Sequence, residues 1–192
     1  MTHPSGEDEH EVEVAEQEAA AALPAGWELE PLESERFRLP GGSVQTYAAA
    51  AHGPDEEAAL VVALRKADAY RELVRRLEGE LEIAEGWAPP VPPLPPESVE
   101  SGFVGPYEEE PEVIEALDEL TRALPEGWQL YEVDRERYRL PGRKLETFGV
   151  SAVGPGGEAA LVVAVGEAGA YRQLTRRLRG ELEVTDAWAP PL

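Results

Sequence analysis

Shifted by 101 residues against itself, this chain lays residues 23–90 on residues 124–191 without a gap, and 38 of the 68 aligned positions are identical. Nothing else in the sequence restricts the fold as much, because a register kept over that length means one unit written twice. The shared stretches include LPxGW, ERxRLPG, EAALVVA, AYRxLxRRLxGELE and WAPP. A weaker echo runs upstream, where Glu11, Val12, Ala15, Glu18 and Ala22 recur as Glu112, Val113, Ala116, Glu119 and Ala123. Two copies are too few for a solenoid, which needs about three repeats. The expected alternative is two lobes packed as a pseudo-symmetric pair.

The boundaries that follow are an acidic, disordered tail over 1–10, repeat 1 over 11–90, a proline-rich acidic linker over 91–110 and repeat 2 over 111–192. Proline fixes φ and lacks the amide hydrogen that helices and ladders use, so the run Pro92-Pro93-Leu94-Pro95-Pro96 reads as a semi-rigid polyproline spacer. The same run would also suit an aromatic-lined groove on a partner.

Within each unit the spacing of apolar residues predicts α-β-β-β-α-β. Val113, Ile114, Leu117, Leu120 and Leu124 recur at helical intervals, and Pro111 suits a first helical turn. The first copy offers only Val12, Val14, Ala15, Ala19 and Ala22 there, so its leading helix buries less surface. Strand pieces follow over 27–32 and 37–39, then a second strand over 44–51 and its counterpart 145–153. Gly53-Pro54-Asp55 and Gly154-Pro155-Gly156-Gly157 turn each of these back into a hairpin. Tyr70, Leu73, Val74 and Leu77 then mark a helix with one buried stripe, with Asp68 as its cap and Gly79 at its end. Leu81 and Ile83 alternate toward Trp87 as a last strand.

The third strand carries the main packing consequence. Residues 58–64 and 159–165 are apolar at every position, so this strand is central in its sheet and covered on both faces. The helices cover one face. The other copy is the nearest cover for the second, and small residues such as Ala48, Ala50 and Ser151 would let two sheets approach closely. A unit of this size is marginal alone, and a homodimer would meet the same demand. The expectation is therefore an α+β chain, either a monomer with paired lobes or a homodimer, with antiparallel-leaning sheets and helices on one face of each.

Composition removes several function classes. Without cysteine there are no disulfides, zinc ribbons, thiolate-held clusters or thiol nucleophiles. The seven-residue apolar runs fall far short of the roughly 20 residues of a membrane span, so a cytoplasmic location without membrane contact is expected. The absence of asparagine, with 33 Glu, 15 Arg and one Met, resembles a high-temperature host, although two Lys is fewer than that signal usually carries.

The formal charge is −22, and it is unevenly spread. Residues 124–192 hold ten acids and nine bases, whereas 91–123 hold nine acids and one base. The bases gather as Arg135, Arg137, Arg139, Arg143 and Lys144, and again as Arg172, Arg176, Arg177 and Arg179. The residues singled out as a binding patch are Arg137, Arg139, Arg143, Lys144, Arg176 and Arg177. Their chemistry suits phosphate, nucleic acid or an acidic protein surface. The competing reading is ion pairing on ordinary solvated surface, for which acids are abundant. On a strand Asp134 and Glu136 point away from these arginines.

Catalytic signatures are missing. No phosphate-cradling glycine loop, nucleophile elbow, zinc-binding helix or calcium loop occurs, and the three histidines, His3, His10 and His52, lie mostly in the tail. Trp27, Trp87, Trp128 and Trp188 recur at matched positions and read as packing residues. The expectation is a non-enzymatic binding or adaptor protein, regulatory or chaperone-like, with a protein partner and no metal or cofactor. Nucleic acid recognition through the arginines of repeat 2 is the alternative, opposed by the net charge. An enzyme using interlobe carboxylates ranks last; a cleft with strongly perturbed carboxylates would revive it.

Overall fold

The computed structural model describes residues 7–91, 103 and 105–192. The run Pro92 to Pro96, read above as spacer or ligand, lies outside the described residues, as do residues 1–6.

The chain is α+β. Its first half comprises α1 (Glu9–Ala22), β1 (Glu28–Leu29), β2 (Glu33–Leu39), β3 (Gly42–His52), β4 (Ala58–Ala63), α2 (Lys66–Leu77) and β5 (Gly86–Trp87). The second comprises α3 (Pro111–Ala123), β6 (Gln129–Leu140), β7 (Arg143–Val153), β8 (Ala159–Ala164), α4 (Glu167–Leu178) and β9 (Ala187–Trp188). The apolar third strand is central, as its composition requires: β4 lies between β3 and β9, and β8 between β7 and β5.

That order carries a correction. The last strand of each copy does not join its own sheet. β5 pairs with β8 in the register Gly86↔Ala164 and Trp87↔Val163, while β9 pairs with β4 in the register Val62↔Trp188 and Ala63↔Ala187. The copies thus exchange their final strands reciprocally. The strand is also shorter than Leu81 and Ile83 suggested: Ile83 is exposed and makes only an isolated bridge to Ala189.

Four layers result. Phe37, Ala48, Leu60 and Val62 meet Tyr138, Leu161 and Val163 in one core between the sheets, which also holds Trp87 and Trp188. Ala49, Ala51 and Val61 face α1 and α2 through Ala15, Ala19, Tyr70 and Leu73. Val150, Ala152 and Val162 face α3 and α4 through Val113, Ala116, Leu120, Tyr171 and Leu174. Each apolar strand is therefore covered on both faces within one chain. Close approach of the sheets depends on small residues: a Cβ on Gly149 would lie 2.3 Å from Phe37 Cδ1.

The exchange is fastened by hydrogen bonds that recur 101 residues along the chain. Trp87 Nε1 donates to the Thr185 carbonyl at 2.8 Å and Trp188 Nε1 to the Ala84 carbonyl at 2.6 Å. The Arg76 guanidinium donates to the Leu60 carbonyl and, at 2.9 Å, to the Pro190 carbonyl. Arg177 does the same for the Leu161 carbonyl and, at 3.0 Å, the Pro89 carbonyl. Burial pulls both guanidinium pKa values below their ordinary range. Each arginine thereby ties the incoming segment of one copy to the central strand of the other.

Helix ends show where local reading succeeds and where it stops. Gly79 has φ +76° and closes α2 with Glu80 N donating to the Arg75 carbonyl and Gly79 N to the Arg76 carbonyl, a Schellman ending. Pro111 is the first residue of α3, but Ile114 is exposed. Asp68 does not cap α2. Its amides at Lys66 and Ala67 bond instead to the Glu7 carboxylate at 2.8 and 2.9 Å. Residues 7–10, assigned above to the tail, therefore belong to the fold, with Asp8 capping α1.

Candidate ligand-binding groove

The remaining sheet edges, β2 and β6, run beside one another without forming a ladder. Carboxylates from each take up outward amides of the other: Arg38 N donates to Asp134 Oδ2 at 2.5 Å, and Arg139 N donates to Glu33 Oε2 at 2.8 Å. The Arg38 guanidinium also donates to Asp134 Oδ1 through Nε and Nη2, at 3.0 and 2.9 Å. An unpaired edge invites another strand. Here it is closed by side chains.

Alternation along β6 sorts its residues. Tyr138 and Leu140 enter the intersheet core, and Asp134 and Glu136 share their face. Arg135, Arg137 and Arg139 take the opposite face and are exposed. A cavity of about 570 Å³ opens at this seam, bordered by these three arginines, Lys144 and Tyr107 and by Glu33, Ser34, Glu35 and Glu136. Tyr107 is held there because the buried Glu167 carboxylate accepts from Tyr107 N and Glu108 N, both at 2.9 Å, and from the Tyr171 hydroxyl at 2.7 Å. Burial pushes the Tyr171 phenol well up.

The cations differ in their partners. Glu146 receives Arg135 at 2.7 Å and Arg137 at 3.0 Å. Partial burial pushes its carboxyl up, yet these two arginines hold it below the usual carboxylate range. Arg139 and Lys144 stand directly opposite each other in the β6–β7 ladder, with Arg143 at the turn. Among the described residues, no carboxylate pairs with the side chains of these three. Like charges placed opposite one another in a ladder are destabilising. The first copy avoids this, with Arg38 opposite Ser43 and Gly42 at the turn.

Beside the cations lies a carboxyl pair. Glu35 and Glu136, equivalent positions in the two copies, both line the cavity. Glu136 is pushed up to about 7 by burial first, then by the bond to Glu35 and the charges of Glu35 and Asp134, with Arg38 opposing.

Of the residues singled out from sequence, the structure gathers Arg137, Arg139 and Lys144 at the cavity and places Arg143 at the adjoining turn. Arg176 and Arg177 stand on α4, outside the cavity lining. Arg176 bonds Gln173 Oε1 at 3.1 Å, and Arg177 is the buried clamp described above. Sequence reasoning left out Tyr107 and the Glu35–Glu136 pair. A signal for the pair existed: equivalent residues on a strand at the contact between copies are brought together by that contact.

Comparison with other proteins adds no assignment. No protein-family profile matches this chain, and neither curated proteins nor solved structures include a match. The site therefore has to be read from its own chemistry. Among the described residues, no group of three or more His, Asp or Glu side chains is placed to hold a metal ion. His52 lies with Nδ1 2.6 Å from Glu30 Oε1, apart from the groove. No described helix is long and apolar enough to cross a membrane.

Proposed function

We propose that this chain is a non-enzymatic binding protein that takes up an acidic segment of a partner protein along the outer face of β6. The observation that carries the reading is the pair Arg139 and Lys144, opposed across the ladder with Arg143 beside them and with no carboxylate partner among the described residues. Leaving like charges together costs stability. A bound anion removes that cost, and the first copy, with Gly42 and Ser43 in the matching positions, has no such arrangement to neutralise. The partner's acid would receive paired donors from planar guanidinium groups, the strong geometry for carboxylates. The −22 charge of the chain opposes approach of any polyanion, a densely charged nucleic acid more than a short acidic segment, and makes a cationic strip on one edge a selective landmark.

The test is a fluorescence titration of the full chain with a labelled oligoglutamate peptide, alongside single-stranded RNA. The variant Arg143→Gly with Lys144→Ser copies the turn of the first repeat. It should bind the peptide at least about tenfold more weakly while remaining folded, the loss of one charge-assisted contact being worth about 1.5–3 kcal/mol. Equal binding by variant and parent would remove the reading. Tighter binding of RNA with a steep salt dependence would transfer the site to nucleic acid.

A further inference from the structure

The two copies present an equivalent groove with different chemistry. In the second copy it lies between α3 and the start of β6, holds about 470 Å³, and has Leu117, Thr121 and Leu130 among its walls. Phe103, from the segment ahead of α3, forms a further wall and packs half-buried on the core beneath. In the first copy the equivalent positions Glu16, Ala20 and Leu29 line a wider groove of about 670 Å³ between α1 and β1, together with Glu13, Glu30 and Pro31. No described aromatic residue lines it. We propose that this α1–β1 groove is a second docking site, which takes a segment of a partner protein carrying an aromatic side chain flanked by lysine or arginine. The proposal does not rest on the cationic strip of β6.

Two features choose the occupant. The first is a precedent within the chain: the second copy lays a phenyl ring against this face. Leu29 and Ala20 offer a ring the same kind of contact, and Pro31 adds an apolar edge with no amide hydrogen to satisfy. The residue that aligns with Phe103 is Thr2, and residues 1–6 include no aromatic side chain. The second feature is charge. Where the second copy has Ile114 and Leu117, the first has Glu13 and Glu16. Both are exposed and one turn apart on α1, and among the described residues no cation pairs with either. Glu30 is engaged, its Oε1 2.6 Å from His52 Nδ1. An apolar floor beside free carboxylates repels an acidic segment and suits a basic one, whose methylene stems cover apolar surface while the charged ends reach the acids. A second copy of the chain, itself at −22, is opposed by the same charges.

The experiment is a fluorescence titration of the full chain with a labelled Lys-Lys-Phe-Lys-Lys peptide, against the same peptide with alanine in place of phenylalanine. Burial of the ring should make the first bind about tenfold more tightly. Glu13→Gln with Glu16→Gln should weaken it about threefold at low salt, because exposed charge pairs are worth little each. Glu78→Gln with Glu82→Gln, at exposed acids outside the groove lining, should leave it unchanged. Ala20→Trp fills the groove from α1 and should abolish the preference for phenylalanine. Ala20 is exposed, so that change leaves the core untouched, and circular dichroism checks the fold. Equal binding of the two peptides by the parent, or a preference that survives in folded Ala20→Trp, overturns the proposal, as does failure of the parent to bind. An equal loss in the Glu78 and Glu82 variant overturns it too, since charge then acts without regard to place. Binding that appears only after deletion of residues 1–6 gives the groove to the chain's own tail, and concentration-dependent dimers dissolved by Ala20→Trp give it to a second copy; both overturn the proposal. None of these outcomes alters the oligoglutamate titration at β6.

Discussion

The indole of Trp87 stacks on that of Trp188, ring centroids 6.4 Å apart and planes 16° from parallel. Each ring belongs to a two-residue strand lent to the other copy's sheet, and each indole N–H bonds to the backbone of the segment that leads into the opposite strand. The stack therefore sits where the exchanged segments cross, and it gives the exchange an optical signature. The chain should show an exciton couplet in its far-ultraviolet circular dichroism. Trp87→Phe or Trp188→Phe should abolish the couplet. Truncation to alanine at either position should destabilise the fold by about 3–5 kcal/mol in urea unfolding.

Arg76 and Arg177 fix the same crossing from outside. Replacing either by Met keeps most of the stem packing and removes the donors to two carbonyls. A loss of about 1–3 kcal/mol is expected for each, because hydrogen bonds to charged donors are stronger than neutral ones and the abandoned acceptors are partly buried. Arg176→Met, at a side chain next to Arg177 in sequence that bonds Gln173 and the Glu181 carbonyl, should shift the unfolding midpoint much less.

Acidity at the β2–β6 seam predicts a pH slope. Glu136 in the folded chain binds its proton more tightly than the unfolded reference of 4.5, with a value of about 7. Between those values the folded state holds more protons than the unfolded state, so stability falls as pH rises from about 4.5 to about 7 and then levels. Glu136 keeps partial contact with solvent, and screening reduces the effect to about 1 kcal/mol. Glu136→Gln should flatten the slope and stabilise the chain by that amount above neutrality, measured by urea midpoints across the range.

Ser151 offers a gain. It is buried, its Oγ has no hydrogen-bond partner among the described residues, and the matching position of the first copy is Ala50. Ser151→Ala should raise stability by about 1 kcal/mol, the cost of an unpaired buried hydroxyl being removed. A lowered thermal midpoint would contradict this account of the intersheet packing.

Gly149 offers the opposite. The matching residue of the first copy is Ala48, yet here a Cβ would strike the Phe37 ring. Gly149→Ala should cost about 1–3 kcal/mol through overpacking. Combining it with Phe37→Leu should recover part of that loss, which a thermal-denaturation double-mutant cycle reads directly.

Much of this architecture is written in local sequence. The seven apolar residues over 58–64 demand cover on both faces, Gly79 and Pro111 mark helix limits, and the alternation along β6 separates Asp134 and Glu136 from the arginines. These follow from periodicity and from the stereochemistry of single residues, so they need no knowledge of what lies across the core. Three other features depend on it. Glu7 caps α2 from 59 residues away, Glu35 finds Glu136, and each final strand chooses the other sheet. The last choice shows the limit most clearly. β4 and β8 have the same sequence, AALVVA, so a ladder with either one offers β5 or β9 nearly identical hydrogen bonds and side-chain neighbours. Local preference cannot separate two equal partners. The packing of the whole chain can, and in it Trp87 stacks on Trp188 while Arg76 and Arg177 hold the incoming segments at both crossings.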